Sequence, residues 1–207
     1  MLLENQNKYY TMMNTDYYFP TPIWWIDTTV DLESLYGFYQ DLREKDSGRE
    51  MSNFGGWQSH DILEYDYHIT DDFIKVVEEY SAKCINDYGF LNTTSLKMTN
   101  LWLSANSNGG FNQIHNHAGA FISGTFYIKV PKDAGEIVFY KNHYEEYATT
   151  GVAPIVQHTA ISASTCRYEP REGRLILFPG YLQHAVMPTQ GNDERISLSF
   201  NMRIENV

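Results

Sequence analysis

Apolar positions recur on two different periods along this chain, and the change of period divides it. From Asp31 to about Lys45, Leu32, Leu35, Tyr36, Tyr39 and Leu42 fall on one face of a helix, with Asp31 placed to cap its first turn. A second helical pattern runs from Asp71 to about Tyr88 through Phe73, Val76, Val77, Tyr80, Cys84 and Ile85, with Thr70 as its expected cap and Gly89 as its stop. Between them, residues 53–59 read as a glycine-rich loop carrying Trp57. After Leu91 the period falls to two or dissolves into short β-rich runs. Strands are expected at Leu96 to Ala105, Ala120 to Val130, Glu136 to Tyr140, Ile155 to Ala163, Arg174 to Phe178, His184 to Met187 and Arg195 to Ile204. Turn residues separate them at Asn106 to Gly110, Pro131 to Gly135, Glu169 to Gly173 and Gln190 to Asp193. Regular short strands after two helices predict a mainly β, antiparallel sandwich or barrel buttressed by the helices. No internal repeat interrupts this order, so the expectation is one domain over residues 1–207, with 1–90 as helical support and 91–207 as the β core.

Composition narrows the function classes. The 207 residues carry a formal net charge of -11, which repels phosphate backbones and anionic lipid at long range, so neither nucleic acid nor a membrane surface is an expected partner. Glu4, Asn5, Gln6 and Asn7 stand where a signal peptide needs apolar residues, and no later run has membrane-spanning length. Cys84 and Cys166 lie outside any CxxC spacing, which predicts neither a disulfide framework nor a thiolate zinc site and makes a reducing, cytoplasmic setting the default. Aromatic residues make up 15%, a content suited to pleated surfaces but shared by several β-rich classes.

The first chemical signal is His115 and His117. On an extended strand residues i and i+2 project from one face toward one point, so a single ion can accept both imidazoles. His184, just beyond the Pro179-Gly180 turn, is able to join them if folding brings its strand alongside, leaving coordination positions open for ligands. Neutral imidazole suits iron, zinc, copper or nickel and does not choose among them. Two such histidines also occur as plain surface residues of a strand, and His60, His68, His143 and His158 sit among polar or loop residues as structural or solvated groups. The second signal is the last strand, where Arg195, Ser197, Ser199 and Asn201 alternate with Ile196, Leu198 and Phe200. A guanidinium on an inward face calls for an anion, and a planar carboxylate is its bidentate match. The alternative is an arginine at the solvated start of a strand.

Taken in order, His115 to His117, Phe121 to Ile128, Gly135 to Phe139, Gly173 to Pro179, His184 and Arg195 to Asn201 resemble the 2-oxoglutarate- and Fe(II)-dependent oxygenases of marine bacterial and phage type, and the order is similar to that of prolyl 4-hydroxylases. Phe19 to Ile23 and Gly55 to Ser59 extend the likeness toward the N-terminus. The resemblance implies a double-stranded β-helix, or jelly roll, with Fe(II) on His115 and His184 and the distal carboxylate of 2-oxoglutarate on Arg195, helped by Ser197 and Tyr127. Most of that superfamily has a carboxylate two residues after the first histidine, and here the position is His117. The last strand is also similar to that of nucleic-acid demethylases, whose second arginine is replaced here by Asn201, so a second cosubstrate contact at Asn201 is weakened.

The leading expectation is therefore a dioxygenase that uses Fe(II) and 2-oxoglutarate to hydroxylate a small-molecule or peptide substrate. Two alternatives stay open at this stage: a cupin-like three-histidine dioxygenase or isomerase without the cosubstrate, and a noncatalytic jelly-roll binding module. Trp57, Gln58 and the loop Asn106 to Gly110 are candidates for the substrate mouth. A homodimer is compatible with the sequence and required by nothing in it.

Overall fold

A computed structural model describes residues 16–65, 67–91, 93–141 and 155–206. His143 lies outside the described residues. The helical expectations hold. Helix α1 (Leu32–Lys45) is capped by Asp31, whose side chain accepts from the backbone amides of Glu33 and Ser34. Helix α2 (Asp71–Asp87) stops before Gly89, which takes the left-handed φ of 69° that a terminating glycine supplies. Thr70 does not cap it: the Thr70 hydroxyl donates to the Tyr67 carbonyl at 2.9 Å, so it is spent on the 3-10 turn His68–Thr70 that leads in.

The strands are β1 (Trp24–Asp27), β2 (Asn53–Phe54), β3 (Trp57–Gln58), β4 (Thr94–Asn106), β5 (Phe111–His115), β6 (Ile122–Lys129), β7 (Ile137–Tyr140), β8 (Thr165–Tyr168), β9 (Arg174–Pro179), β10 (His184–Val186) and β11 (Arg195–Asn206). They form two antiparallel sheets, a major one in the order β1-β9-β6-β11-β4-β3 and a minor one in the order β2-β5-β10-β7-β8. The N-terminal region thus supplies more than helices. Its strand β1 pairs with β9 at one edge of the major sheet, and the glycine-rich stretch is a hairpin-like link whose β2 and β3 pair with different sheets. The strand expected over Ile155 to Ala163 is absent. There Thr159 Oγ1 accepts from the amides of Ile161 and Ser162, and Ser162 Oγ accepts from that of Thr159, a local hydroxyl-to-backbone turn that competes with ladder pairing. The strand forms instead at β8, against β7.

The main core lies outside the sandwich. Leu35, Phe38 and Leu42 of α1 and Phe73, Val77 and Ile85 of α2 pack on one face of the major sheet, against Leu101, Leu103, Phe126, Leu198, Phe200 and Met202. Phe73 meets Phe126 and Phe200 at ring-centroid distances of 5.2 and 6.0 Å. A smaller cluster of Tyr127, Ile137, Phe139, Ile176, Phe178 and Leu182 closes one part of the space between the sheets. The rest of that space is a cavity of about 470 Å³.

Candidate metal centre

His115 ends β5 and His184 begins β10, and antiparallel pairing puts the two directly opposite each other with ring centroids 4.3 Å apart. His117 follows the end of β5. Its amide donates to the Gly180 carbonyl at 2.8 Å, while the Gly180 amide donates to Phe121 at 3.0 Å. Only a glycine permits this approach, because a Cβ at position 180 would lie 2.4 Å from the Ala120 carbonyl oxygen. The Pro179-Gly180 turn is thereby stitched to residues 117–121, and His117 swings to within 5.0 Å of His184 and 5.1 Å of His115, measured between rings.

One nitrogen from each of the three rings lies within 4.8 Å of the others, the one such cluster of potential ligands among the described residues. The His117 and His184 Nε2 atoms are 3.3 Å apart. Two imidazole nitrogens at right angles on an ion with bonds of about 2.05 Å would be about 2.9 Å apart, so this pair stands near ligand spacing. Nδ1 of His115 faces the Gln113 carbonyl at 2.7 Å, and Nδ1 of His184 faces that of Leu182 at 2.9 Å. A carbonyl only accepts, so both Nδ1 atoms carry the proton and both Nε2 lone pairs face inward, as outer-sphere bonds to ligating histidines do. Burial and the neighbouring imidazoles push His184 down to about 3 and His117 to about 4, and burial lowers His115. All three rings are neutral near pH 7, which is the ligating form. The donor set and its tautomers fit a divalent transition metal.

Along β11 the alternation read from the sequence points into the same cavity: Arg195, Ser197, Ser199 and Asn201 line it, with Tyr127 and Thr125 from β6. Arg195 is buried, at 2% exposure. Nη1 donates to the Gly135 carbonyl at 3.2 Å, and an Asn106 amide turned with its oxygen toward Arg195 accepts from Nη2 at 3.1 Å. Among the described residues its Nε has no partner and no carboxylate faces it, and burial holds its pKa below the ordinary arginine value. A buried cation so placed fits an anionic ligand. Tyr127 lies beside Ser197 in register, and burial raises its phenol.

Asn201 lines the cavity, but its amide is engaged: its oxygen accepts from Ser123 Oγ at 2.8 Å, and its nitrogen donates to Asn100, which in turn donates to Asp61. Six residues along a strand span about 20 Å, too far for so short a side chain to share a small ligand's carboxylate with Arg195. Of the proposed mouth residues, Gln58 lines the cavity, whereas Trp57 is packing: its ring is edge-on to Tyr39 and its Nε1 donates to the Asp46 carbonyl. The Asn106 to Gly110 turn is tied to Thr189 and Gly191. His60 pairs with Asp46 at 2.8 Å and His158 lies near the Ser162 carbonyl, both away from the cluster. Sequence reading passed over Arg49 and Ser52, which line the cavity from the turn before β2, with Ser52 Oγ 3.4 Å from His115 Nε2.

Residues 100–201 match the family model described as "Putative 2OG-Fe(II) oxygenase". No curated protein matches the sequence. Among solved structures, a prolyl-4-hydroxylase from Pseudomonas putida is 16% identical, with a TM-score of 0.58 over 88% of this chain and 92% of that one. The viral collagen prolyl hydroxylase of Paramecium bursaria Chlorella virus-1, solved as its 2-oxoglutarate complex, is 13% identical, with a TM-score of 0.57 over 89% and 96%. HygX from Streptomyces hygroscopicus, solved with nickel and 2-oxoglutarate, is 11% identical, with a TM-score of 0.58 over 88% and 82%. These likenesses establish a shared jelly-roll fold. The matched segment contains all three clustered histidines and Arg195, so the likeness to the 2-oxoglutarate/Fe(II) oxygenase family extends over the part of the chain that builds the candidate metal centre.

Proposed function

We propose that the protein is a dioxygenase that binds Fe(II) on His115, His117 and His184 and holds the distal carboxylate of 2-oxoglutarate on Arg195, with Ser197 and Tyr127 beside it, to hydroxylate a substrate not yet identified. The observation that carries this reading is the sharing of one cavity by three neutral, inward-facing imidazoles and a buried guanidinium without a counter-ion. Bound Fe(II) with 2-oxoglutarate supplies oxygen activation, in which one oxygen atom of O2 goes into the succinate formed with carbon dioxide and the other into the substrate. The chain's own residues position and enclose. The Gln113 and Leu182 carbonyls fix the ring planes of His115 and His184. Arg195 anchors the far end of the cosubstrate, so that its other end is directed toward the histidines. Phe178, whose ring centroid is 4.7 Å from that of His184, covers one side of the cluster and keeps water from it.

His117 stands where a carboxylate is usual. A neutral ligand leaves one more positive charge on the centre, and this raises its demand for anionic ligands. The test is succinate formation from 2-oxoglutarate by the Fe(II)-loaded protein under air. Turnover in wild type, abolished in His184→Ala, supports the reading. Stoichiometric iron with no succinate above the variant's background, across a broad substrate screen, would favour chemistry without the cosubstrate.

A further inference from the structure

The cavity has an unexpected charge for so acidic a protein. Among the described residues no aspartate or glutamate lines it, while two arginines do, Arg195 and Arg49. Arg195 is accounted for by the cosubstrate in the reading above. Arg49 is not. It makes no ion pair among the described residues, and its Nε is shielded from solvent without a hydrogen-bond partner. An enclosed guanidinium nitrogen without a partner costs folding free energy that a passing surface arginine would avoid by turning outward.

The backbone around Arg49 is held firmly. Asp46 accepts from the amides of Gly48 and His60 at 2.8 and 2.7 Å, the Arg49 amide donates to the Gln58 carbonyl at 2.8 Å, and Asn53 Nδ2 donates to the carbonyls of Arg49 and Gly56, both at 3.3 Å. Ser52, three residues on, accepts from Asn112 Nδ2 and lies against His115. This turn carries Arg49 into the cavity from beside β3, at the edge of the major sheet, whereas Arg195 and Tyr127 enter from its centre. The two guanidiniums therefore serve different parts of the cavity. With Arg195 paired to the cosubstrate, a divalent ion, that arginine and a doubly charged cosubstrate still leave the three-histidine site net positive, and the charge of Arg49 adds to an excess that a further anionic ligand would match.

We propose that Arg49 recognises an oxyanion on the substrate, so that this enzyme acts on small molecules bearing a carboxylate, phosphate or sulfate group despite its own net charge of -11. The inference rests on the oxygenase reading and adds the substrate's chemical class to it. Long-range repulsion from the acidic surface slows the approach of such a molecule, and the local guanidinium holds it once inside.

The test uses inorganic sulfate as the probe, on protein loaded with redox-inert Zn(II) and saturated with 2-oxoglutarate, read by titration calorimetry. Wild type is expected to take up one sulfate per chain saturably. Arg49→Gln should weaken that uptake at least tenfold while its affinity for 2-oxoglutarate stays within twofold, and Arg49→Lys should retain part of it. Zinc uptake reports the fold of each variant, and if Arg49→Gln does not hold zinc, the comparison with Arg49→Lys decides. The proposal is overturned if wild type shows no saturable sulfate uptake, if the variants match wild type, or if Arg49→Gln loses 2-oxoglutarate instead. A wild type that binds no 2-oxoglutarate while still showing the Arg49-dependent sulfate site would overturn the oxygenase reading and leave the anion site standing.

Discussion

At its start β11 hides both of its faces from water, and the two are oppositely composed. Toward the helices stand Ile196, Leu198, Phe200 and Met202, at 1% exposure or less. Toward the other sheet stand Arg195 and Ser197, at 2% and 3%. Burial on the first face removes apolar surface from water, and contact with α1 and α2 repays it. Burial on the second removes hydrogen-bonding groups and a charge from water, and the protein repays only part: a carbonyl and an amide meet two nitrogens of Arg195, and the third has nothing. A buried side chain is evidence of a core only when its atoms are apolar. Where they are polar and short of partners, the missing partners point to a ligand.

Substitutions on the two faces should separate stability from binding. Phe200→Ala should cost about 3–5 kcal/mol, seen as a lower midpoint in denaturant unfolding, with metal stoichiometry of the remaining folded protein unchanged. Arg195→Gln should do the reverse. Its loss of unfolding free energy should stay under about 1 kcal/mol, because the buried charge it removes is poorly compensated. Losing the anion's partner should weaken 2-oxoglutarate binding by about 2–4 kcal/mol, or about 30- to 1000-fold by calorimetry. An Arg195→Gln protein as unstable as Phe200→Ala would place the second face in the structural core and break the contrast.

His184→Ala should lower metal affinity by about 100-fold or more, measured by metal analysis after dialysis against a competing chelator. Smaller effects should mark the scaffold that carries Arg49. Burial would raise the Asp46 carboxyl, but hydrogen bonds from the Gly48 amide and from the His60 amide and ring outweigh it and hold the pKa below 3.8. A lowered acid pKa adds stability that is fully present above the unfolded-state value and is lost as the pH falls through the folded-state value. Asp46→Asn should therefore be less stable than wild type by about 1 kcal/mol at pH 7, and the two melting curves should converge as the pH drops below 3.8.

The contrast between the faces was visible in the sequence because a strand alternates. Ile196, Leu198 and Phe200 against Arg195, Ser197 and Ser199 showed two faces at a glance, and the i, i+2 spacing of His115 and His117 showed one point of convergence. Both helices were legible because their apolar period persists over several turns. Harder to see were features whose meaning depends on a distant partner. Strand β1, Trp24–Asp27, is four residues long, and its exposed Trp25 is covered by the Arg174 guanidinium at 4.5 Å, a contact across about 150 positions. The apolar Ile155 and Val156 suggested a strand, yet both stay exposed beside the Thr159–Ser162 turn, because hydroxyls bonding nearby amides outcompete the ladder. Arg49 gave no periodic signal at all. Its interest lies in what it lacks, a partner within the cavity, and only the assembled walls reveal that.

Metal and cosubstrate should meet in the cavity between the sheets. Anaerobic titration of the Fe(II)-loaded protein with 2-oxoglutarate tests this directly. A saturable visible charge-transfer absorption at one cosubstrate per iron, shifted to far higher concentration in Arg195→Gln, is the predicted result. Iron bound by all three histidines with no spectral response at saturating 2-oxoglutarate, or a response indifferent to Arg195, would contradict it.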